Sequence, residues 1–345
     1  MSPNIQTRKR EHVEIARHSK DADRRKYYFD RIKLVHRALP DIDYDDVNPS
    51  TQFLNKELAF PLLISSMTGG TGSELAYINR NLATAANAMG VAIATGSMRI
   101  LLEDPASHPA FALREAAPNV PLCGNLGAIQ LNYGVTPDQI ASLAEQIQID
   151  ALFLHFNPLQ EAIQPEGQTR FAHLIPKIKT LVKTLPIPVI AKEVGAGISP
   201  ADAKRLMDAG IEHLEVAGSG GTSWSRIEYE RDQAPDNPGL CFQDWGIPTP
   251  DALRLLHPFR DRMTLIASGG IRTGIDMAKA CILGASLCGI ARPLLEPACQ
   301  SPEAVIMYLE NLQREFRTAM FLLGTPTLDD LVNNRTLLLD YQNHA

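Results

Sequence analysis

Cysteines, aromatic residues and long apolar runs are all scarce in this 345-residue sequence. Its five cysteines, at positions 123, 241, 281, 288 and 299, are an odd number without a CxxC pair, which argues against a disulfide framework or a zinc site. No apolar run approaches the roughly 20 residues that span a bilayer, and the polar N-terminus lacks the apolar segment of a signal peptide. The formal charge of −6 leaves no basic surface for nucleic acid. We therefore expect a cytoplasmic protein with no membrane or nucleic-acid partner.

Short apolar runs alternate with amphipathic stretches from residue 62 onward. Each run has the composition of a strand buried on both faces, and helical apolar spacing follows, for example at 75–89, 111–117 and 275–282. Eight such units predict an α/β fold, a single (β/α)8 TIM barrel. The runs are 62–66, 91–95, 122–125, 151–155, 189–192, 213–217, 263–268 and 287–290.

The chain shows no linker that would divide it into two domains. We expect an N-terminal basic arm and connector at residues 1–60, the barrel at 61–324 and a C-terminal tail at 325–345. A final helix that carries Ile306, Leu309 and Phe316 on its apolar face is expected to close the barrel. The connection at 218–248 is much longer than usual, which predicts either a functional lid or partial disorder.

The last two strands of the predicted barrel both end in residues suited to phosphate. Gly269 and Gly270 bring backbone N–H groups and the N-terminus of a helix to the end of the seventh strand. Arg292 follows the eighth strand, and Arg272 follows the glycine turn. The glycines could simply make tight turns beside solvated arginines, but two adjacent seats at the end of a barrel favour a phosphate site.

A ring of polar residues follows the other strands, at the end of the barrel where active sites lie. The ring holds no cysteine nucleophile and no Ser/His/Asp arrangement, so the chemistry is expected to come from a cofactor. Other readings stay open: Ser66 and Thr68 could cap a helix, Asn125 could be a turn residue, and Lys192 could pair with Glu193 at the surface. The ring comprises Ser65, Ser66, Met67, Thr68, Thr95, Ser97, Arg99, Asn125, His155, Asn157, Gln160, Glu161, Lys192, Glu193, Thr222 and Ser223.

Two sets of charged residues suit an anionic ligand. Arg8, Lys9 and His12 in the N-terminal arm could fold over the site and clamp an anion, or they could be solvated. Glu161 is a lone carboxylate, which is how Mg²⁺ is commonly held when phosphate oxygens and water complete its coordination.

Six motifs, in this order, resemble the type 2 isopentenyl diphosphate isomerases, which are flavin-dependent enzymes of isoprenoid biosynthesis. The resemblance runs from the Arg-Lys pair of the arm to the final helix, and the order of the motifs makes it specific. They are MTGG at 67–70, HFNPLQE at 155–161, KEVGAGIS at 192–199, GGTSW at 220–224, SGGIRTG at 268–274 and ARP at 291–293.

The resemblance implies a site for each ligand of the isomerase reaction. It implies FMN, active in its reduced form, with NADPH as reductant, Mg²⁺ on Glu161, and a homotetramer or homo-octamer. The substrate diphosphate would be bound by Arg8, Lys9, Ser97, Met98, Arg99, His155 and Asn157, with Gln160 near the reacting carbons and Gln160 and Lys192 as catalytic residues. The FMN would be bound by Ser66, Met67, Thr68, Ser97, Asn125, Lys192, Thr222, Gly270, Ile271, Arg272, Ala291 and Arg292.

The sequence departs from the family pattern at two places. The family commonly has GSQR where this chain has Gly96-Ser97-Met98-Arg99, so Met98 lacks an amide. It often has GRGGTS where this chain carries Ser219. Both departures bear on ligand affinity and leave the predicted class unchanged.

Competing functions need residues that this sequence lacks. An FMN-dependent 2-hydroxyacid oxidase would need a histidine and an arginine at the end of a late strand, where this chain reads VAGSGGTSW. An inosinate dehydrogenase would need a nucleophilic cysteine in that loop, and Cys241 lies too far along. A flavin-binding protein without turnover would need neither Gln160 nor Glu161. The resemblance implies that reduced FMN gives and takes the proton that moves the double bond, with Lys192 favouring its anionic form.

Overall fold

The eight apolar runs form the eight parallel strands of a closed barrel, which confirms the predicted fold. The computed structural model describes residues 5–24, 28–67, 69, 72–232 and 234–339. Each barrel strand pairs with the next in the chain, and the last strand, β10 (Leu287–Ile290), closes the barrel on the first, β3 (Leu62–Ile64). An antiparallel hairpin precedes them, so that the strands are β1 Thr51–Phe53, β2 Lys56–Leu58, β3 Leu62–Ile64, β4 Ala92–Ala94, β5 Leu122–Gly127, β6 Ala151–Phe156, β7 Val189–Glu193, β8 His213–Glu215, β9 Thr264–Ser268 and β10 Leu287–Ile290.

The barrel interior is a small apolar core that the hairpin extends. Side chains from the barrel strands, such as Phe153 and Ile190, pack with Phe53 and Leu58 of the hairpin, and all four are buried. The hairpin therefore closes the end of the barrel opposite the C-terminal strand ends, and ligands are left with one open mouth.

Helices surround the barrel, and a second, larger core fills the space between helices and strands. The long helix α12 packs against α2 and α10, as expected for a helix that closes the barrel. Among the described residues, no helix combines the length and apolar composition needed to cross a membrane. The helices are α1 Ile5–His18, α2 Ser73–Met89, α3 Arg99–Glu103, α4 Pro137–Gln146, α5 Pro158–Ile163, α6 Leu174–Thr184, α7 Pro200–Asp208, α8 Trp224–Asp232, α9 Thr249–Leu256, α10 Gly274–Ile282, α11 Leu295–Gln300, α12 Pro302–Leu323 and α13 Leu328–Leu331.

The prediction of a helix at 111–117 is wrong. A 3-10 helix, Pro105–Ala110, precedes this segment, which then continues as turns. The guanidinium of Arg114 donates hydrogen bonds to the carbonyls of Ala117 (2.9 Å) and Val120 (3.1 Å), so side-chain contacts replace helical ones. Phe111, Leu113 and Ala117 are buried, but these are too few to stabilise a helix between two prolines.

One residue of the predicted apolar stripe in α10 also lies on the wrong face. Ile275 is 48% exposed, whereas Met277, Ala278, Cys281 and Ile282 are buried. The helix itself forms as predicted, with Thr273 and Asp276 making a capping box at its start.

The long connection after β8 is ordered over the residues that the structure describes. It contains α8, which packs against both α1 of the N-terminal arm and α5. The ring of His12 in α1 meets that of Trp224 edge-on, with 5.3 Å between centroids. The connection therefore fits the lid alternative, because it carries a helix that holds the arm near the barrel mouth.

Candidate active site

The arm and the C-terminal strand ends line one pocket at the barrel mouth. The arm contributes α1, and the loops after β4, β5 and β6 contribute the rest. The structure thus brings together most of the predicted substrate residues, although they come from four separate segments of the chain. The lining residues include Arg8, Lys9, His12, Ser97, Arg99, Gln130, His155, Asn157, Gln160, Glu161 and Gln164.

Three cationic side chains, Arg8, Lys9 and Arg99, line this pocket. Arg8 approaches Glu166 (3.6 Å), and Arg99 donates to Glu103 (2.9 Å) and to the amide oxygen of Gln168 (3.2 Å). Burial, with Arg8 adding to it, lowers the pKa of Lys9 to about 8. Three neighbouring cations suit a ligand that carries more than one negative charge.

His155 is neutral in the ligand-free protein. Burial is the main cause that lowers its pKa to about 3, and Lys9 and Lys192 add to it. Its Nδ1 lies 2.8 Å from Oδ1 of Asn125. Because an amide oxygen only accepts, Nδ1 carries the proton and Nε2 presents a lone pair. Asn125 is thus more than a turn residue, since it sets the tautomer of a pocket histidine.

Glu161 is oriented by its neighbours at the start of α5. Its Oε1 accepts from Nδ2 of Asn157 (3.0 Å), and its Oε2 accepts from the backbone N–H of Gln168 (2.6 Å). Nδ2 of Asn157 also donates to Oε1 of Gln160 (3.2 Å). No group of three or more His, Cys, Asp or Glu side chains suited to a metal occurs among the described residues. One fixed carboxylate beside a cationic pocket fits Mg²⁺ that draws its other ligands from phosphate and water.

The predicted flavin residues lie around the same mouth. Oγ of Ser66 is buried and has no hydrogen-bond partner among the described residues, so it is available to a ligand. Lys192 is buried, and its Nζ donates to Oε1 of Glu215 (2.6 Å) rather than to Glu193. The carboxylate of Glu193 instead accepts from the backbone N–H groups of residues 194–197. Thr68 lies outside the described residues.

The glycine turns form a tight backbone cradle near the mouth. Gly269 and Gly270 have φ of 95° and 79°, in the left-handed region that favours glycine. A Cβ on Gly221 would lie 2.8 Å from the backbone nitrogen of Gly270, and one on Gly270 would lie 2.8 Å from the carbonyl oxygen of Gly220. The loop that carries Thr222 therefore contacts the turn through backbone atoms. This cradle, the free serine hydroxyl and the buried lysine fit a phosphorylated flavin.

Arg272 and Arg292, the arginines of the predicted phosphate site, bind the arm and are not solvated. Asp23 of the arm binds both, with Oδ1 2.7 Å from Nη2 of Arg272 and Oδ2 3.2 Å from Nη1 of Arg292. Arg292 also donates to the carbonyls of Ala16 (2.7 Å) and Ser19 (2.6 Å). These side chains therefore fasten the arm to the barrel.

Met98, predicted to bind the diphosphate together with Ser97 and Arg99, is not among the residues that line this pocket. It is fully buried, and a Cβ on Gly124 would lie 2.8 Å from its sulfur. Its backbone N–H donates to the carbonyl of Asn125 (2.8 Å). An apolar side chain gains more from the core than from a cationic pocket, so Met98 supports the site from below.

Comparison with known proteins decides the family. Residues 128–338 match the family described as FMN-dependent dehydrogenase. The chain is 52% identical over 340 residues to the isopentenyl-diphosphate delta-isomerase of Paracoccus zeaxanthinifaciens, with 97% of each chain covered. The chain belongs to the isopentenyl-diphosphate delta-isomerase family. Proteins of the same name from Hydrogenovibrio crunogenus (50%, covering 97% of this chain and 98% of the relative) and Rickettsia prowazekii (44%, covering 94% and 95%) agree.

Two solved structures are similar to this chain in fold. A flavocytochrome b2 variant with sulfite bound has a TM-score of 0.68 at 19% identity, covering 95% of this chain and 82% of its own. A mandelate oxidase variant with an FMN adduct has a TM-score of 0.60 at 18% identity, covering 94% and 90%. At this identity the likeness concerns the barrel alone.

Three carboxylates that organise this site were not predicted from the sequence. Glu228 is fully buried on α8, where Oε1 accepts from Nε2 of Gln160 (2.8 Å) and lies 3.0 Å from Nε2 of His12. Burial alone would raise its pKa, but the contact with His12, the bond from Gln160 and the charge of Arg231 lower it to about 2. The others are Asp23 and Glu215. Only Glu228 had a signal, since it lies in the unusually long connection and stands three residues before Arg231.

Proposed function

We propose that this chain interconverts isopentenyl diphosphate and dimethylallyl diphosphate, using bound FMN and Mg²⁺. The observation that carries the proposal is the single pocket in which Arg8, Lys9 and Arg99 stand beside Gln160 and Glu161. The relatives named for this reaction support it, as does the match to an FMN-dependent family.

The cationic side of the pocket would bind the diphosphate. Arg8, Lys9 and Arg99 provide charge-assisted donors, each worth about 1.5–3 kcal/mol. Glu161 would hold Mg²⁺ against the diphosphate oxygens, and its bonds to Asn157 and Gln168 fix the direction of approach.

Gln160, in the same pocket, would orient the hydrocarbon. Isomerisation adds a proton to the terminal methylene carbon and removes one from the carbon two positions away, so no net oxidation occurs. Bound FMN, reduced by NADPH, would supply the group that gives and takes the proton. Gln160 is held between Asn157 and Glu228 and would position the reacting carbons. Lys192 would place a positive charge at the flavin, which favours its anionic reduced form.

The arm would close the pocket. Asp23 fastens it to Arg272 and Arg292, while its Asp21 binds Arg226 on α8 (2.9 Å). Closure excludes water from the reaction, and this protects a cationic species that water would quench.

The test is an isomerase assay of purified protein with dithionite, FMN and Mg²⁺, run beside a 2-hydroxyacid oxidase assay. We expect isomerisation without oxidation, and a visible spectrum of bound flavin. Deletion of residues 1–10 should raise KM sharply and leave FMN bound, because only the diphosphate loses its contacts. Oxidase activity, or no isomerisation by flavin-loaded protein, would overturn the proposal. The homotetramer or octamer and the cytoplasmic location stay predictions.

A further inference from the structure

A buried polar cluster lies inside the barrel, directly below the predicted flavin site. Its centre is Glu215, the last residue of β8, whose side chain is fully buried. Its Oε1 accepts three hydrogen bonds, from Nζ of Lys192 (2.6 Å), Oγ of Ser65 (2.7 Å) and Oγ of Ser268 (2.6 Å). Ser65 follows β3, which is separated from β8 by two strands, so the contact crosses the barrel interior.

A glycine on the neighbouring strand leaves space for this cluster. A Cβ on Gly289 of β10 would lie 2.4 Å from Oγ of Ser65 and 3.2 Å from Oε1 of Glu215. Lys192 and Glu215 are register partners on adjacent strands, which places both side chains on the inner face. Three donors on one oxygen suit an ionised carboxylate, and two serines plus an ammonium offset much of the cost of burying it.

A long lysine side chain does not hold one position by itself. Its ammonium sits on a flexible four-carbon stem and has three donors, of which Glu215 takes one. The bond to Glu215 then fixes the direction of the other two N–H groups of the ammonium. His155, the register partner of Lys192 on β6, stands on its other side and is neutral. Glu215 is thus the charged partner that defines where the ammonium lies.

We infer that Glu215 is a positioning residue that holds the Lys192 ammonium against the flavin, a role that rests on the proposed function. Without the carboxylate, Lys192 is buried without a counter-charge, and it turns toward water at the barrel mouth. The flavin then loses the positive charge that favours its anionic reduced form. A direct effect of Glu215 on the flavin has the opposite sign, because removing a negative charge favours the anion.

The experiment is a pH titration of the reduced flavin in anaerobic holoenzyme, followed by absorbance. Glu215→Gln should raise the pKa of the flavin N1 by about 1 unit, the lower end of the effect of one neighbouring charge. In a Lys192→Ala background the same substitution should not raise the pKa of N1, because only the direct effect of the lost charge remains. A lowered pKa, an unchanged pKa, or an equal rise in the Lys192→Ala background would overturn the positioning role.

Two further variants control for damage to the fold. Glu193→Gln also removes a buried carboxylate beside Lys192, but its partners are backbone N–H groups, so we expect lower thermal stability and an unchanged flavin titration. If Glu215→Gln does not fold, Glu215→Asp withdraws the carboxylate by one methylene, and a smaller rise in the pKa of N1 is expected. An Asp variant with lowered thermal stability and an unmoved titration would refute the role.

The outcomes separate this inference from the proposed function. Wild-type protein that takes up no FMN would overturn both. Wild-type protein that binds FMN and isomerises, with a Glu215→Gln variant that titrates like it, would overturn the positioning role alone.

Discussion

Replacing Glu161 by glutamine separates a metal ligand from a proton donor. The substitution is nearly isosteric and removes one charge. In the structure, Glu161 accepts from Nδ2 of Asn157 and from the N–H of Gln168. A new amide can still accept from the N–H of Gln168 but loses the bond from Asn157, whose Nδ2 keeps its bond to Gln160. The cost to folding should therefore be small, about 1 kcal/mol.

The cost to metal binding should be larger. The pocket offers Mg²⁺ one carboxylate, and a neutral amide is a much weaker ligand. We expect the apparent Kd for Mg²⁺ to rise at least about tenfold, equivalent to roughly 1.4 kcal/mol, and KM for the diphosphate to rise with it. The assay is a Mg²⁺ titration of initial rates at several substrate concentrations, with flavin spectra recorded in parallel. High Mg²⁺ should restore part of the activity of Glu161→Gln.

The matched control is Glu166→Gln, which neutralises another carboxylate near the arm. Glu166 contacts Arg8 (3.6 Å) and Arg231 (2.8 Å), so its loss should loosen the arm and raise KM while the Mg²⁺ midpoint stays unchanged. If Glu161→Gln keeps its Mg²⁺ dependence and KM but loses turnover, the metal role is wrong, and Glu161 belongs with the acids and bases.

Three other perturbations test the arm and the flavin seat. Because the pKa of Lys9 is about 8, kcat/KM should fall as Lys9 loses its proton above that pH, and Lys9→Arg should move the fall to higher pH; an unmoved profile would exclude Lys9 from diphosphate binding. Lys192→Ala should lower thermal stability, because Glu215 stays buried without its counter-charge, and it should bind FMN more weakly or raise the pKa of the reduced flavin; unchanged FMN affinity and an unchanged flavin pKa would remove Lys192 from the cofactor site. Asp23→Asn should release the arm from Arg272 and Arg292 and speed its limited proteolysis, with thermal unfolding nearly unchanged; wild-type cleavage rates would show that the arm is held elsewhere.

Local pattern predicted the barrel because each βα unit carries its own signal. A buried strand is a short apolar run, a helix repeats its apolar residues every three or four positions, and eight repeats leave few alternatives. The same reasoning failed at 111–117, where apolar spacing was right but Arg114 and two flanking prolines favoured turns. The burial of Met98 likewise depends on Gly124 of the neighbouring strand rather than on its own motif.

The sequence by itself determined which residues reach the barrel mouth, since a residue that follows a barrel strand lies at the C-terminal end whatever its partners are. Only the tertiary structure decided which of them meet. Asp23 and Arg272 are 249 residues apart, and Ser65 and Glu215 are 150 apart, yet each pair shares a hydrogen bond. Such contacts form only when the last strand closes on the first and the arm folds back over the mouth. Glu215 and Glu228 therefore become buried, paired charges only in the fold.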